Sequence, residues 1–341
     1  MSENKQKVST EPYKGVRDFF PEDMAVQNYI FSIWKKVAEK YGYEEYSASI
    51  LEYADLYRSK GKGSEEIVNE QMYVFKDKGE REVALRPEMT PTLARMIASK
   101  RKALKFPLRW FSIPNVFRYE RPQRGRKREH WQLNCDLMGV VDNDPINAEV
   151  EIIKLAYEIM TKGFGADEKD FEIRINSRKV LNERLGKLLI NQESIPQAIR
   201  LLDKKEKLSK DEFNNEWTKI SQKPFEEYFS VADFLNKEMG NLNAVIEKLN
   251  NQNNIWNIVI SPTLSRGFDY YTDMVFEVFD TNPENRRSLF GGGRYDNLLE
   301  MFGVEPVPTV GFGMGDVTIR DFLITHKLLP SNLKPSQNSE E

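Results

Sequence analysis

The chain has 341 residues, 40% apolar and 30% charged, which is room for one large domain or two ordinary ones. Its formal net charge of −3 argues against a protein coated in positive charge to bind nucleic acid indiscriminately. A single cysteine, Cys135, and two histidines, His130 and His326, exclude an intrachain disulfide and a multi-cysteine zinc site, and argue against a histidine metal cage or a histidine-centred triad.

Residues 1–11 are polar and are expected to be disordered. No apolar run approaches the length of a membrane span, and MSENKQKVST has no apolar signal core, so a cytoplasmic protein is expected. The next segment, YKGVRDFFPED, reads as an ordered lead-in with Gly15 at a bend and Pro21 opening a helix. Over 22–41 the apolar residues Met24, Ile30, Ile33, Trp34, Val37 and Ala38 recur at helical spacing, and Gly42 closes the helix. Residues 43–51 have strand character. A hairpin over 73–85, turning at 77–79, runs into RPEMTP and a helix over 92–99, with Thr90 as N-cap and Pro91 at the first helical position. Glu88 is less easily explained by capping. A carboxylate at a strand-to-helix junction is well placed to hold an ammonium group.

An apolar strand over 108–117 leads into FRYERPQRGRKREHWQLNCDLMG, the stretch around which the chain is organised. Arg118, Arg121, Arg124, Arg126, Lys127 and Arg128 crowd its first half, and arginine forks suit phosphate because a guanidinium donates two parallel hydrogen bonds. The second half interleaves Trp131 and Leu133 with Gln132, Asn134 and Asp136, the alternation of a strand whose polar face looks into a site. With Gly125 at the turn, the stretch reads as an antiparallel hairpin. Cys135 on this strand reads as a small packed side chain rather than a nucleophile.

Asn143-Asp144-Pro145 starts a helix over 146–162, and 172–176 is a short strand. Between 177 and 254 glycine nearly vanishes, and helical periodicity over 180–190, 196–207 and 225–249 marks a helical insertion, either a solvated surface or a lid over a large substrate. The sheet resumes at 255–261, followed by SRGFDYY, which places Arg266, Tyr270 and Tyr271 on a strand where the adjacent tyrosines point to opposite faces. A strand over 275–279, the glycine triplet of FGGGRYD, a glycine-alternating strand in TVGFGMG and a helix over 316–325 complete the pattern. The triplet either lets backbone approach a ligand or makes a tight bend. No P-loop or dinucleotide fingerprint is present. The expected organisation is a lead at 1–11, a core in two parts at 12–176 and 255–326, a helical insertion at 177–254 and a polar tail at 327–341.

RPEMT, FRYERPQRGRKREHWQLNCD, SRGFDYY, GGGRYDNLLE and VGFGMG, in this order and with the insertion ahead of SRGFDYY, resemble histidyl-tRNA synthetases over residues 13–322. The resemblance implies an α+β class II aminoacyl-tRNA synthetase fold: a mixed, mostly antiparallel sheet flanked by helices, with a helical insertion, in a homodimer. It implies a ligase of protein biosynthesis that activates L-histidine with ATP and Mg2+ to histidyl-adenylate and passes it to tRNA(His). Such chemistry works by positioning and electrostatics and needs no enzyme nucleophile; no protein-built metal site is expected.

For single residues, the resemblance implies that Arg118 contacts the α-phosphate and the amino acid carboxylate, with Arg266 as a second cation there. Glu120 would lie near the adenine amine and Arg126 near the outer phosphates. Glu88, Met89, Thr90, Gln132 and Asp136 would surround the histidine, holding its α-ammonium and neighbouring polar atoms, and Tyr270 and Tyr271 would line the imidazole pocket. Four positions depart from the family pattern. Met89 stands where glycine is usual, and Ser49 where a proline follows the interface helix. Asp136 replaces a common glutamate. Thr318 occupies the place of an arginine that grips the γ-phosphate, leaving that task to Arg124 or Arg126 or altering how ATP is handled.

The family usually adds a C-terminal anticodon-binding domain of about one hundred residues, which this sequence does not contain. That feature and Thr318 favour an alternative, the histidine-sensing regulatory subunit of ATP phosphoribosyltransferase, which resembles the same core. Arg118, Arg126, Arg266, Glu88 and GGGRYD favour the ligase, since a sensor has no use for phosphate-binding cations. A general RNA-binding module fits poorly with the net charge and the lack of a repeated aromatic stacking pattern.

Overall fold

The computed structural model describes residues 8–58, 67–142, 144–189, 191–205, 208–221, 224–225, 240–267, 270–285 and 288–333. The first helix, α1 (Pro21–Lys40), carries Glu22 and Asp23 in its first turn and Lys40 in its last, which suits the helix dipole. It buries Val26, Ile30, Trp34, Val37 and Ala38 along one face, and Gly42, at φ +77°, ends it as expected. The strand expected over 43–51 is divided. β1 (Glu44–Glu45) pairs parallel with β5 (Leu108–Ser112) in the large sheet, while β2 (Leu51–Tyr53) pairs antiparallel with β4 (Glu82–Leu85) in a small one. The chain changes sheets between them, so no single strand can span the segment.

A short helix, α2 (Ala54–Arg58), follows β2. β3 (Tyr73–Lys76) and β4 form the expected hairpin, its turn closed by Asp77 Oδ1, which accepts from the backbone N–H of Gly79 at 2.8 Å and of Arg81 at 3.0 Å. In α3 (Thr90–Lys100) the cap position is Met89, without a side-chain capping bond, and Thr90 is already helical. The N-cap role expected for Thr90 is therefore not realised; its side chain lines the pocket described below. The apolar run over 108–117 breaks into β5 and β6 (Asn115–Phe117), because the two halves pair with different ends of β7 (Glu129–Met138).

α4 (Pro145–Glu158) is capped by Asp144, whose Oδ1 accepts from Ile146 N–H at 2.9 Å, a contact stabilising by about 1 kcal/mol. β8 (Phe171–Ser177) runs directly into α5 (Arg178–Leu188), and α6 (Ile195–Asp203), α7 (Lys210–Ile220) and α8 (Gly240–Glu247) follow. The second half of the chain supplies β9 (Ile258–Ile260), β10 (Met274–Asp280), β11 (Ser288–Arg294), β12 (Thr309–Gly315) and α9 (Asp316–Thr325).

Among the described residues, nine strands form one sheet in the order β1-β5-β7-β12-β11-β10-β8-β9, with β6 also on β7. Only the outer pairs β1–β5 and β8–β9 are parallel; the pairs between them are antiparallel. This is the mixed, mostly antiparallel sheet flanked by helices that was expected. One face packs against α1, α4 and α9 in the main core, which holds Trp34, Ile152, Phe276 and Phe322 at 0% exposure. Leu328, Leu329 and Leu333 also pack on this core, so the start of the segment read as a polar tail is docked.

The segment read as an insertion divides by packing. Leu181, Leu185, Ile199, Leu202, Phe213, Trp217 and Phe225 make a separate apolar cluster, whereas Leu242, Val245 and Leu249 join the main core. α7 was not anticipated, although Phe213 and Trp217 stand four apart as on one helical face. Of the periodicity read over 225–249, residues 226–239 lie outside the described residues, as do 1–7 of the lead and 334–341 of the tail. Among the described residues no helix is long and apolar enough to cross a membrane.

Candidate active site

The alternation of β7 builds the floor of the site. Leu133, Cys135 and Leu137 enter the main core at 0% exposure, and Gln132, Asn134 and Asp136, on the opposite face, line a pocket of about 380 Å³, mouth included. Glu88 and Thr90 reach the same pocket from the start of α3, Arg118 from the chain beyond β6, and Arg266, Tyr270 and Tyr271 from the loop ahead of β10. Cys135 is a fully buried thiol pushed far up by burial, which is the packed role expected of it.

The glycines of β11 and β12 are explained by what lies on them. A Cβ at Gly313 would overlap the Gln132 amide, one at Gly311 would overlap the Asp136 carboxylate, and one at Gly291 would overlap the Arg266 guanidinium. All three glycines line the pocket. The triplet lies inside a strand rather than at a bend, and the bare backbone lets polar side chains from neighbouring elements lie flat across the sheet.

Both arginines expected at the reacting centre are present. Arg118 Nε donates to the carbonyl of Pro87 at 2.9 Å, which braces the guanidinium against the strand-to-helix junction that carries Glu88. Arg266 sits in a left-handed turn, φ +49°, and its Nη1 donates to Glu277 Oε1 at 3.0 Å. Burial works against its charge, but the neighbouring Tyr271 and Glu277 more than offset that and raise its pKa.

Tyr270 and Tyr271 do not sit on a strand. Tyr270 is in a turn ahead of Met274, where β10 begins, so both rings enter the pocket, 4.8 Å apart between centroids. Phe268 and Asp269 of the same motif lie outside the described residues. A third aromatic, Tyr295, stacks edge-on against Tyr270 at 5.4 Å and donates its hydroxyl hydrogen to Asp136. Burial pushes the Asp136 carboxyl up to about 7, with the Tyr295 hydrogen bond pulling the other way. Sequence reasoning gave Tyr295 and Phe312 no role, placed Asn134 only on the polar face of its strand, and read Gly291 only as backbone near a ligand or a bend; all of these, with Gly311 and Gly313, line the pocket. The GGGRYD and VGFGMG strings were the available signal.

Three expected site residues are not brought into the lining. Met89, between Glu88 and Thr90, is buried, and its sulfur lies 3.9 Å from Arg86 Nη1. Glu120 and Arg126 pair with each other at 3.1 Å outside the lining. The reason is the hairpin tip, where Gln123 and Arg126 bridge and carry both side chains beyond the strands. At the position that departs from the family pattern, Thr318 Oγ1 donates to the carbonyl of Leu289 at 2.6 Å. Arg320 is turned into the core against Asp23 at 2.6 Å, and Arg124 Nε donates to Asp321 at 3.0 Å.

Burial, and then the Arg118 charge, hold His130 down to about 4, so it is neutral at neutral pH. Among the described residues no group of three or more His, Cys, Asp or Glu side chains could hold a metal ion. The pocket is thus a place that binds and orients: two cations, two acids, two amides and three phenols converge on a glycine-floored sheet.

A family model described as Histidyl-tRNA synthetase matches residues 15–315. A relative named histidine--tRNA ligase from Leptospira biflexa is 46% identical over an alignment of 341 residues, covering 96% of this chain and 77% of that protein. The chloroplastic/mitochondrial histidine--tRNA ligase of Arabidopsis thaliana is 38% identical, covering 95% of this chain and 68% of that one. Among solved structures, histidyl-tRNA synthetase from Nostoc sp. PCC 7120 superposes with a TM-score of 0.75 at 24% identity, over 95% of this chain and 77% of that chain. A Bacillus halodurans protein titled ATP phosphoribosyltransferase regulatory subunit/histidyl-tRNA synthetase gives 0.75 at 23% identity, over 94% and 84%, a likeness of fold alone.

Proposed function

The chain belongs to the histidyl-tRNA synthetase family, and on that premise we propose that it activates L-histidine with ATP and esterifies the product to tRNA(His). The observation that carries this reading is the convergence of Arg118 and Arg266 with Glu88, Gln132 and Asp136 in one pocket. An amino acid needs an acid for its ammonium and a cation for its carboxylate. Its attack on the α-phosphate needs a second cation where charge accumulates. Arg118 and Arg266 stabilise the pentacoordinate phosphorus as the carboxylate displaces pyrophosphate, and holding both reactants in line supplies the rest. Glu88 and Thr90 receive the α-ammonium. Asp136, oriented by Tyr295, and Tyr270 and Tyr271 surround the imidazole, and a competitor that cannot satisfy these buried polar groups is rejected.

Glu120 and Arg126 serve the ATP end: the pair at 3.1 Å opens as the adenine amine takes the carboxylate and the outer phosphates take the guanidinium. Magnesium comes with the ATP phosphates, since that ion commonly keeps water ligands and needs only one or two carboxylates from protein. The regulatory-subunit reading is not favoured, because the relatives matched along the sequence are named ligases. We place the reaction in the cytoplasm.

The protein acts as a homodimer in this reading, with the outer face of the small sheet meeting a second copy. Leu51, Tyr53 and Phe75 stand there at 47%, 59% and 47% exposure. Tyr53 and Phe75 both lie opposite Val83, so they form one apolar row across three strands.

The test is histidine-dependent exchange of labelled pyrophosphate into ATP with purified protein and no tRNA. Exchange with histidine alone among the amino acids is the expected result. Tight histidine binding without exchange would overturn the enzyme reading in favour of a histidine sensor.

A further inference from the structure

Arg266 owes its aim to a strained loop. Its φ of +49° is a conformation that residues other than glycine keep only where their surroundings hold them. The surroundings are specific. Asn176, fully buried at the end of β8, donates through Nδ2 to the carbonyls of Pro262 at 3.1 Å and Leu264 at 2.8 Å. Arg178, 4% exposed, donates through Nη1 to the carbonyl of Ser265 at 2.7 Å and reaches that of Arg266 at 3.4 Å.

Arg178 is also the first residue of α5, where the chain leaves the sheet for the separate cluster of α5, α6 and α7. Its own origin is fixed: its backbone N–H donates to the carbonyl of Asp273 at 2.8 Å, and Ser177 caps the helix by accepting from Val180 N–H. The same loop is gripped from the other side by α6. Ser265 Oγ donates to the carbonyl of Ile199 at 3.3 Å, and a Cβ at Gly267 would stand 3.6 Å from the Asp203 carboxylate. The backbone that carries Arg266 is therefore held between the sheet and the helical cluster, with one guanidinium at the joint.

We propose that Arg178 is a positioning residue for Arg266, fixing the left-handed turn that aims it into the pocket and tying that aim to the seating of the helical cluster. The proposal rests on the assignment of Arg266 to the reacting phosphate made above. Arg178 does not touch substrate. It satisfies two carbonyls that would otherwise be free to rotate, and rotation there swings the Arg266 side chain off Gly291. A shift of that kind costs rate rather than binding, because the phosphate contact matters most in the transition state.

The experiment uses the full chain and histidine-dependent pyrophosphate exchange, with histidine binding measured separately by calorimetry. In folded Arg178→Gln, kcat is expected to fall about 10²-fold, the scale of a misplacement of about 1 Å. Histidine affinity should change less than about threefold, and Arg178→Lys should recover part of the rate. In an Arg266→Ala background, Arg178→Gln should cause no further loss, since its effect passes through Arg266. A merely structural role predicts the opposite, a lowered melting temperature with unchanged kcat per folded site, or losses that add in the double variant; either overturns the proposal. Undiminished exchange in Arg266→Ala overturns the assignment beneath it, and the proposal with it. If Arg178→Gln does not fold, Ser265→Ala takes its place. A drop in kcat of about threefold or more, absent in the Arg266→Ala background, supports the coupling, and an unchanged kcat overturns it.

Discussion

Arg266 lies where a side chain at Gly291 would have to be: a Cβ there would overlap Nη1 of the guanidinium, with Glu277 Cγ 2.9 Å away. The bareness of one strand position and the aim of one arginine are a single feature. Gly291→Ala is therefore expected to displace Arg266 and to lower histidine-dependent pyrophosphate exchange by about 10²-fold. Because the Phe276 carbonyl is crowded as well, the variant should also lose stability, by roughly 1–3 kcal/mol, the range for overpacking. Exchange rates and a denaturant melt on the same preparation separate the two effects.

The Asp136 carboxyl, pushed up to about 7 by burial, gives a pH dependence whose sign is fixed. Below that value it is protonated and only a weak, uncharged acceptor for an imidazole N–H; above it, the carboxylate accepts a stronger, charge-assisted hydrogen bond. Histidine affinity should rise as pH increases through about 7, and Asp136→Asn should lose that rise. Calorimetric titrations between pH 6 and pH 8 read both.

Stability runs the other way at the same residue. The unfolded carboxyl ionises near 3.8, while the folded one keeps its proton until about 7. The folded state is thus disfavoured progressively as pH rises between those values, and fully so above the upper one. Asp136→Asn should raise the melting temperature at pH 8 and leave it unchanged well below 3.8, where both states are protonated. A stabilised but inactive variant at high pH is the expected outcome.

Asp316, at 0% exposure, accepts from Arg17 at 2.7 Å, Gln27 at 3.0 Å and the Trp131 backbone N–H at 2.9 Å. It ties the lead-in, α1 and the strand that carries Gln132 to the start of α9. Asp316→Ala leaves the Arg17 charge and the Trp131 N–H without this partner and should cost about 3–5 kcal/mol. Urea unfolding measures the loss, and Arg17→Ala should cost less, because it leaves the other two contacts intact.

The small sheet offers a test of assembly. Phe75→Glu and Tyr53→Glu place a charge on its exposed apolar row and should shift a dimer to monomer in sedimentation velocity. A dimer that survives both substitutions would place the contact elsewhere on the molecule.

Much of the site was legible in the sequence because it is written in short periods. The alternation of Gln132, Asn134 and Asp136 with Leu133, Cys135 and Leu137 says which residues share a face, and the pleat makes that statement reliable. Glycine after Lys40 and proline at the start of α1 marked the ends of that helix for equally local reasons. The same local rules failed where a tertiary demand competed. Thr90 reads as a cap by type and position, yet it faces the pocket. Tyr270 and Tyr271 read as a strand, yet a turn lets both rings enter.

What the chain determined by itself was its inventory: which face of β7 is polar, where the first helix begins and ends, and the motifs that mark its family. Only the tertiary structure decided why the glycines of β11 and β12 are bare, since the side chains that lie on them belong to a different strand and a distant loop. It also decided that Tyr295 orients Asp136 and that Glu120 and Arg126 answer each other. Arg320 turns into the core against Asp23 for the same reason. Tyr295 and Asp136, like Arg320 and Asp23, are far apart in sequence, and Glu120 meets Arg126 across an irregular hairpin tip; no local period encodes such partners.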